Sequence, residues 1–202
     1  MSRLIERAIQ SWAEELLGFS PVLVVEGARQ TGKSTLARML RPNAITVNLD
    51  DPQTLDYARN DPVGFAAQAG DGVLIIDEFQ RLPSLSLAIK ANVDADRRPG
   101  RFILTGSSDF ARVRGDKDSL AGRALSVTVC PLTQAEVRDT TASGTLVDRL
   151  LGATGVHDLP ASAEPLTHTG LAHLLTAGGF PAVHNAKPRL RAEWYRNYIE
   201  RL

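Results

Sequence analysis

Val22-Leu23-Val24-Val25-Glu26-Gly27-Ala28-Arg29-Gln30-Thr31-Gly32-Lys33-Ser34-Thr35-Leu36-Ala37-Arg38-Met39-Leu40 runs from a short β-branched apolar stretch, through a glycine-containing loop, into a helix-forming segment. Within it, residues 27–34 satisfy G-x-x-x-x-G-K-[ST] in the strand–loop–helix setting that this pattern requires. Consecutive backbone N–H groups of such a loop converge on a phosphate, and the positive end of the following helix dipole assists them. Gly27 and Gly32 give the loop backbone angles that a Cβ would oppose. Lys33 is therefore expected to reach the β- and γ-phosphates of ATP, and the Ser34 hydroxyl to take one position on Mg2+. Thr35 is expected at the α-phosphate. Gly27, Ala28, Arg29, Gln30, Thr31, Gly32, Lys33, Ser34 and Thr35 make up the expected nucleotide-binding stretch, with Arg29 bordering the nucleotide or facing solvent.

Working outward, further strands are expected at 44–49, 73–76, 101–104 and 125–129, each followed or preceded by helical spacing or turn residues. Val73 to Ile76 is apolar without alternation, as in a strand buried on both faces of a parallel sheet. Asp51-Pro52 and Asp61-Pro62 each pair an N-cap with proline at the first helical position. A helix is expected over 83–98, where the segment ends at Pro99-Gly100. Leu4, Ile5, Ala8, Ile9, Trp12 and Leu16 recur at helical spacing and predict one amphipathic N-terminal helix. The pattern as a whole predicts a three-layer α/β domain with a five-stranded, mainly parallel sheet. This phosphate-loop domain with its N-terminal helix is expected over 1–140. Residues 141–169 read as a loop or poorly packed insertion, and short helices around 171–177 and from 189 complete a linker and helical extension over 141–202.

The second chemical motif is Val73-Leu74-Ile75-Ile76-Asp77-Glu78. Ligands of α/β sheets gather at the carboxyl ends of strands, so Asp77 is placed to bind Mg2+ together with Ser34. Glu78 can then direct a water at the γ-phosphate and act as general base. The alternative is a pair of carboxylates capping the helix that begins near Pro83. After the fourth strand, Ser107 is the first candidate for contact with the γ-phosphate or the attacking water and Thr105 the second; locally bonded turn hydroxyls are the plainer reading. Arg123 is the candidate for an arginine that neutralises charge during phosphoryl transfer, in cis or across a subunit interface, against a plain surface arginine.

Composition narrows the function classes. Lys plus Arg and Asp plus Glu are 23 each, so no global basic field argues for nucleic acid. Two small basic clusters, Arg97, Arg98 and Arg101, then Arg112 and Arg114, lack interleaved aromatics and do not support a DNA site. Cys130, the single cysteine, excludes an intramolecular disulfide framework and reads as a small apolar filler at a strand end. His157, His168, His173 and His184 lack metal-site spacing. Asp50 is explained by helix capping more simply than by a place in a magnesium shell. No apolar run is long enough to span a bilayer and no secretory signal is present, so a soluble cytoplasmic protein is expected.

Taken in order, GARQTGKST, DEFQRLP, FILTGSS, LAGR with PLTQAE after it, and GGFPAV resemble the bacterial and archaeal family of AAA-type ATPases that carry a C-terminal domain of unknown function. The resemblance covers the chain from Ile5 to the final helix. It implies nucleotide binding by 27–35, magnesium binding and water activation at Asp77 and Glu78, and γ-phosphate sensing near Ser107. It also implies a sheet in which one strand lies between those bearing the two phosphate motifs. The chain departs from the family at Ala28, where proline is common. It also stops soon after the GGFP segment, so a truncated C-terminal domain is expected, with Trp194, Tyr195, Tyr198 and Ile199 left as an exposed apolar face. A homo-oligomer or a partner protein engaged through this segment is a further expectation. The readings to be separated are an ATPase whose cycle drives a conformational change, a nucleotide-dependent binding switch with little turnover, with or without association with DNA, and a small-molecule kinase, which the Asp-Glu pair disfavours.

Overall fold

The computed structural model describes residues 4–107, 120–140, 146–155 and 167–201. Its residue contacts divide the chain into two units, Ile9–Cys130 and a second formed by Met1–Ala8 with Pro131–Leu202.

The first unit is a three-layer α/β domain. Its strands are β1 (Val22–Gly27), β2 (Ile45–Asn48), β3 (Leu74–Asp77), β4 (Phe102–Ser107) and β5 (Ala124–Thr128). They form one sheet in the order β2-β3-β4-β1-β5, and every pair is parallel. β4 thus lies between β1 and β3, the strands that carry the two phosphate motifs, as the resemblance implies. The alternation of side chains along each strand divides the core in two. Val22, Val24, Leu74, Ile76, Phe102 and Leu104 pack on one face with residues of α3 (Pro52–Asn60), α4 (Pro62–Ala67) and α5 (Leu85–Ala95), including Phe65 and Ile89. Leu23, Val25, Ile75 and Ile103 pack on the other with α1 (Gln10–Phe19) and α2 (Lys33–Leu40), including Leu17 and Leu36. Burial on both faces is why β1, β3 and β4 read as unbroken apolar runs.

Local signals behave as physics requires at the two Asp-Pro sites. The Asp51 carboxylate accepts from Thr54 N, and Asp61 from Gly64 N, with proline in the first turn of each helix. The N-terminal helix is shorter than its apolar spacing suggests: it starts at Gln10, and Leu4 is 64% exposed. In the second unit, Glu136 holds that segment instead, accepting from Arg7 Nε at 3.0 Å and Ala8 N at 2.8 Å. The same carboxylate closes a capping box with Thr133 at the start of α6 (Gln134–Val137). These bonds keep the buried Glu136 carboxyl below its ordinary range against the opposing effect of burial.

The second unit continues with α7 (Leu146–Gly152), α8 (His168–Ala177) and α9 (Pro188–Glu200). A helix at 146–152 corrects the expectation of a loop there; residues 141–145 and 156–166, with His157, lie outside the described residues. The GGFP segment is packed, not open. A Cβ on Gly179 would sit 2.3 Å from Leu132 O, and Phe180 meets Trp194, Tyr195 and Tyr198 at centroid distances of 5.2, 5.9 and 5.0 Å. The expected exposed face therefore reduces to Ile199, which is 68% exposed, because the three rings gather around Phe180 and are half-buried. Cys130 is exposed and is not a buried filler. No described helix is long and apolar enough to cross a membrane.

Candidate functional site

The carboxyl ends of β1, β3 and β4 bring the candidate residues together. β1 ends at Gly27, whose φ of 149° and close approach to β5's end leave no space for a side chain: a Cβ would lie 2.3 Å from Val129 O. Gln30 (φ 62°) and Gly32 (φ 97°) both take positive backbone angles, the kind of turn from which loops present backbone N–H groups to anions. Thr31 is fully buried and its hydroxyl donates to Ala28 O at 3.0 Å, closing the loop on itself. No side chain caps α2 at Gly32, so the first-turn amides of that helix have no intrahelical acceptor. A loop of this build at a helix N-terminus could hold an anion. A Gly27→Ala variant is expected to be destabilised by about 1–3 kcal/mol, the range for strain and overpacking at such a site, and a lowered midpoint of thermal unfolding checks it.

Lys33 is buried, with Nζ donating to Ala28 O at 2.8 Å. Burial pulls its pKa below the usual lysine value, the carboxylates of Glu78 and Asp77 pull it back up, and Arg29 pushes it down. Lys33 thus stands within the field of both acidic residues. Ser34 Oγ donates to Asp77 Oδ1 at 2.8 Å, across 43 residues of sequence. Thr105, buried in β4, donates to the same Asp77 oxygen. Two hydroxyls therefore fix the Asp77 carboxylate at the strand end.

Glu78 follows at a left-handed backbone position (φ 56°) that ends β3 and starts a 3-10 turn over Phe79–Arg81. Phe79 anchors that turn in the core. The Glu78 carboxylate accepts a hydrogen bond from Gln80 Nε2. A hydroxyl, a carboxylate and an ammonium converging at a helix N-terminus suit a triphosphate with its magnesium ion: the cation matches the Ser34 and Asp77 oxygens, and the anion matches Lys33 and the loop amides.

Ser107 ends β4 in register with Gly27 and is half-buried, level with the loop. Thr105 faces Asp77, so the structure gives it a part in holding that carboxylate, which the sequence reading missed. Gln80 was also missed, although it stands in the DEFQRLP motif: nothing in an i, i+2 spacing announces a contact until the left-handed turn at Glu78 is known. Asp51 is the helix cap, while Asp50 pairs with Arg81 at 2.6 Å and has no place in the acidic cluster. Ala28, Arg29, Gln30 and Thr35 are exposed on the loop and helix start.

Arg123 requires a correction. It precedes β5, its carbonyl bonds Val22 N at the amino end of β1, and its guanidinium grips Asp94 at 2.6 and 2.9 Å. Five residues of strand separate that level from Gly27, about 17 Å along the sheet, so it does not reach the loop of its own chain. Only a role across a subunit interface is left of that expectation. Arg97, Arg98 and Arg101 are engaged with Gly122 O, Asp71 O and Gly70 O, and Asn92 O and Asp96 O respectively. Arg112 and Arg114 lie outside the described residues, and no cluster of His, Cys, Asp and Glu suited to a metal occurs among the described ones.

A family profile described as an AAA domain matches residues 19–138. Two curated relatives, uncharacterized proteins of Mycobacterium bovis and Mycobacterium tuberculosis, are each 33% identical over 123 residues, which is 61% of this chain and 28% of theirs. The matched stretch thus spans little more than a quarter of these longer proteins. Among solved structures, AMPPCP-bound DnaA from Aquifex aeolicus is similar with a TM-score of 0.50 and 14% identity, covering 90% of this chain and 58% of that one. A Walker-type ATPase of Pyrococcus abyssi gives a TM-score of 0.46 and 19% identity over 70% of this chain and 58% of its own.

Proposed function

Because the chain belongs to the AAA domain family, a family of P-loop ATPases at the level of fold and nucleotide binding, we propose that it binds ATP as its magnesium complex and hydrolyses it to ADP and phosphate. The observation that carries this reading is the 2.8 Å bond between Ser34 Oγ and Asp77 Oδ1, which joins the phosphate loop to the acidic strand beside Lys33. Magnesium, if bound, would be held by the Ser34 and Asp77 oxygens and would supply positive charge to stabilise the phosphoryl oxygens during transfer.

In this account the loop amides and Lys33 hold the phosphates, and Ser34 and Asp77 supply oxygens to the cation. Thr105 keeps Asp77 in place. Glu78 takes a proton from the water whose oxygen forms the new bond to the γ-phosphorus, as the bond from that phosphorus to the ADP oxygen breaks. Ser107, level with the loop, is the proposed contact for the γ-phosphate. The cycle would drive a conformational change, in solution in the cytoplasm, where the single-cysteine composition is at home. A second reading, a nucleotide-dependent switch with little turnover, is favoured by one observation: the proposed base is engaged by Gln80.

The test is phosphate release from Mg-ATP with no acceptor but water, measured with and without added nucleosides and duplex DNA. Hydrolysis predicts equal ADP and free phosphate without any addition, lost when EDTA removes the cation. A requirement for a nucleoside acceptor would replace the hydrolase by a kinase, and a requirement for DNA would make nucleic acid part of the cycle.

A further inference from the structure

In the described structure three of the groups proposed to act on ATP are bonded to other parts of the protein: Lys33 to Ala28 O, Asp77 to Ser34 and Thr105, and Glu78 to Gln80. The first two arrangements are of a kind that Mg-ATP would replace, since a phosphate oxygen is a better acceptor for an ammonium than a carbonyl, and the Ser34 and Asp77 oxygens would be the ones to hold the cation. The third is different. Gln80 is no part of the phosphate loop, and its amide occupies an oxygen of the one group that has to accept a proton.

We propose that Gln80 is a positioning residue that restrains Glu78, holding its carboxylate away from productive water activation until the bond is released. This rests on the reading of Glu78 as base. Three observations carry it. The Gln80 amide donates to Glu78 Oε2, a charge-assisted bond of the stronger kind. Its other end, Oε1, is buried with no hydrogen-bond partner, so this side-chain placement is unfavourable except for the bond to Glu78. The geometry also depends on a left-handed, non-glycine backbone at Glu78, while the buried Phe79 between the two residues pins the turn that sets Gln80 across from it. A favourable bond set against an orphaned carbonyl and a strained turn leaves a contact that can open, which is what a restraint on a catalytic group needs.

The experiment compares the wild-type chain with Gln80→Met, Gln80→Ala, Glu78→Gln and the Gln80→Met/Glu78→Gln double variant. Methionine fills the same volume without a donor, so the turn stays packed. Steady-state phosphate release and the affinity for a fluorescent ATP analogue are measured for each. The restraint predicts that Gln80→Met and Gln80→Ala raise kcat roughly tenfold, the factor corresponding to one lost net hydrogen bond. KM and nucleotide affinity are expected to stay unchanged, and the gain to vanish in the double variant because it acts through Glu78. If wild-type turnover is too slow to detect, its appearance in Gln80→Met supports the restraint equally. An unchanged or lowered kcat in Gln80→Met with normal nucleotide affinity overturns it, as does a gain that persists without Glu78. Should Glu78→Gln alone turn over at the wild-type rate, the assignment of the base is what fails, and that outcome is distinct from an inert Gln80.

Discussion

Replacing Lys33 by alanine is expected to weaken Mg-ATP binding by about 100-fold, the equivalent of roughly 3 kcal/mol for a lost charge-assisted contact to phosphate. The structure supplies both halves of the argument. Lys33 is the buried cation of the loop, its ammonium standing between Ala28 O and the field of Asp77 and Glu78. Burial lowers its pKa, which means that the folded protein carries a cost for the charge. Alanine removes that cost along with the bond to Ala28 O, so the variant is expected to unfold at a midpoint close to that of the wild type. Titration with a fluorescent ATP analogue, set beside thermal unfolding, separates loss of the ligand contact from loss of the fold. Binding within threefold of wild type would mean that the loop amides suffice and that Lys33 is not a phosphate ligand.

Glu78→Gln is expected to leave ATP affinity near the wild-type value and to lower turnover by about 10²- to 10⁴-fold, the contribution of a positioned general base. The carboxamide has the shape of the carboxylate and keeps an oxygen that can accept from Gln80, so the 3-10 turn after β3 has no reason to rearrange. What it cannot do is take the proton. Asp77, with its two hydroxyl donors, is untouched by the change, and the proposed cation site stays intact. A loss of both affinity and turnover would indicate instead that Glu78 serves the binding site as a whole.

Which parts of this were legible in the sequence follows from how local the deciding physics is. The apolar runs of β1, β3 and β4 announced themselves because burial on both faces removes polar alternation, and Asp51 and Asp61 because a cap is a contact three residues long. β4 was expected over 101–104 and extends to Ser107, since its last residues are held by pairing with Val25 to Gly27 and not by their own propensity. The N-terminal helix lost its first turns to Glu136, more than a hundred residues away. Thr105 and Gln80 gained partners that only the turn geometry creates, and Arg123 proved remote because position along a parallel strand, not nearness to a motif, decides which end of the sheet a residue serves. The strand order was implied by resemblance; periodicity alone did not contain it.

The proposed function requires that Mg-ATP be both held at residues 27–35 and cleaved there by water. Its most direct test is a single-turnover experiment in which the chain, in excess over γ-labelled ATP and with magnesium present, is quenched at successive times and its bound and free nucleotide identified. The account predicts conversion of ATP to ADP with the label recovered as free phosphate in equal amount. Tightly held ATP that persists unchanged, in the wild type and after Gln80→Met alike, would contradict it.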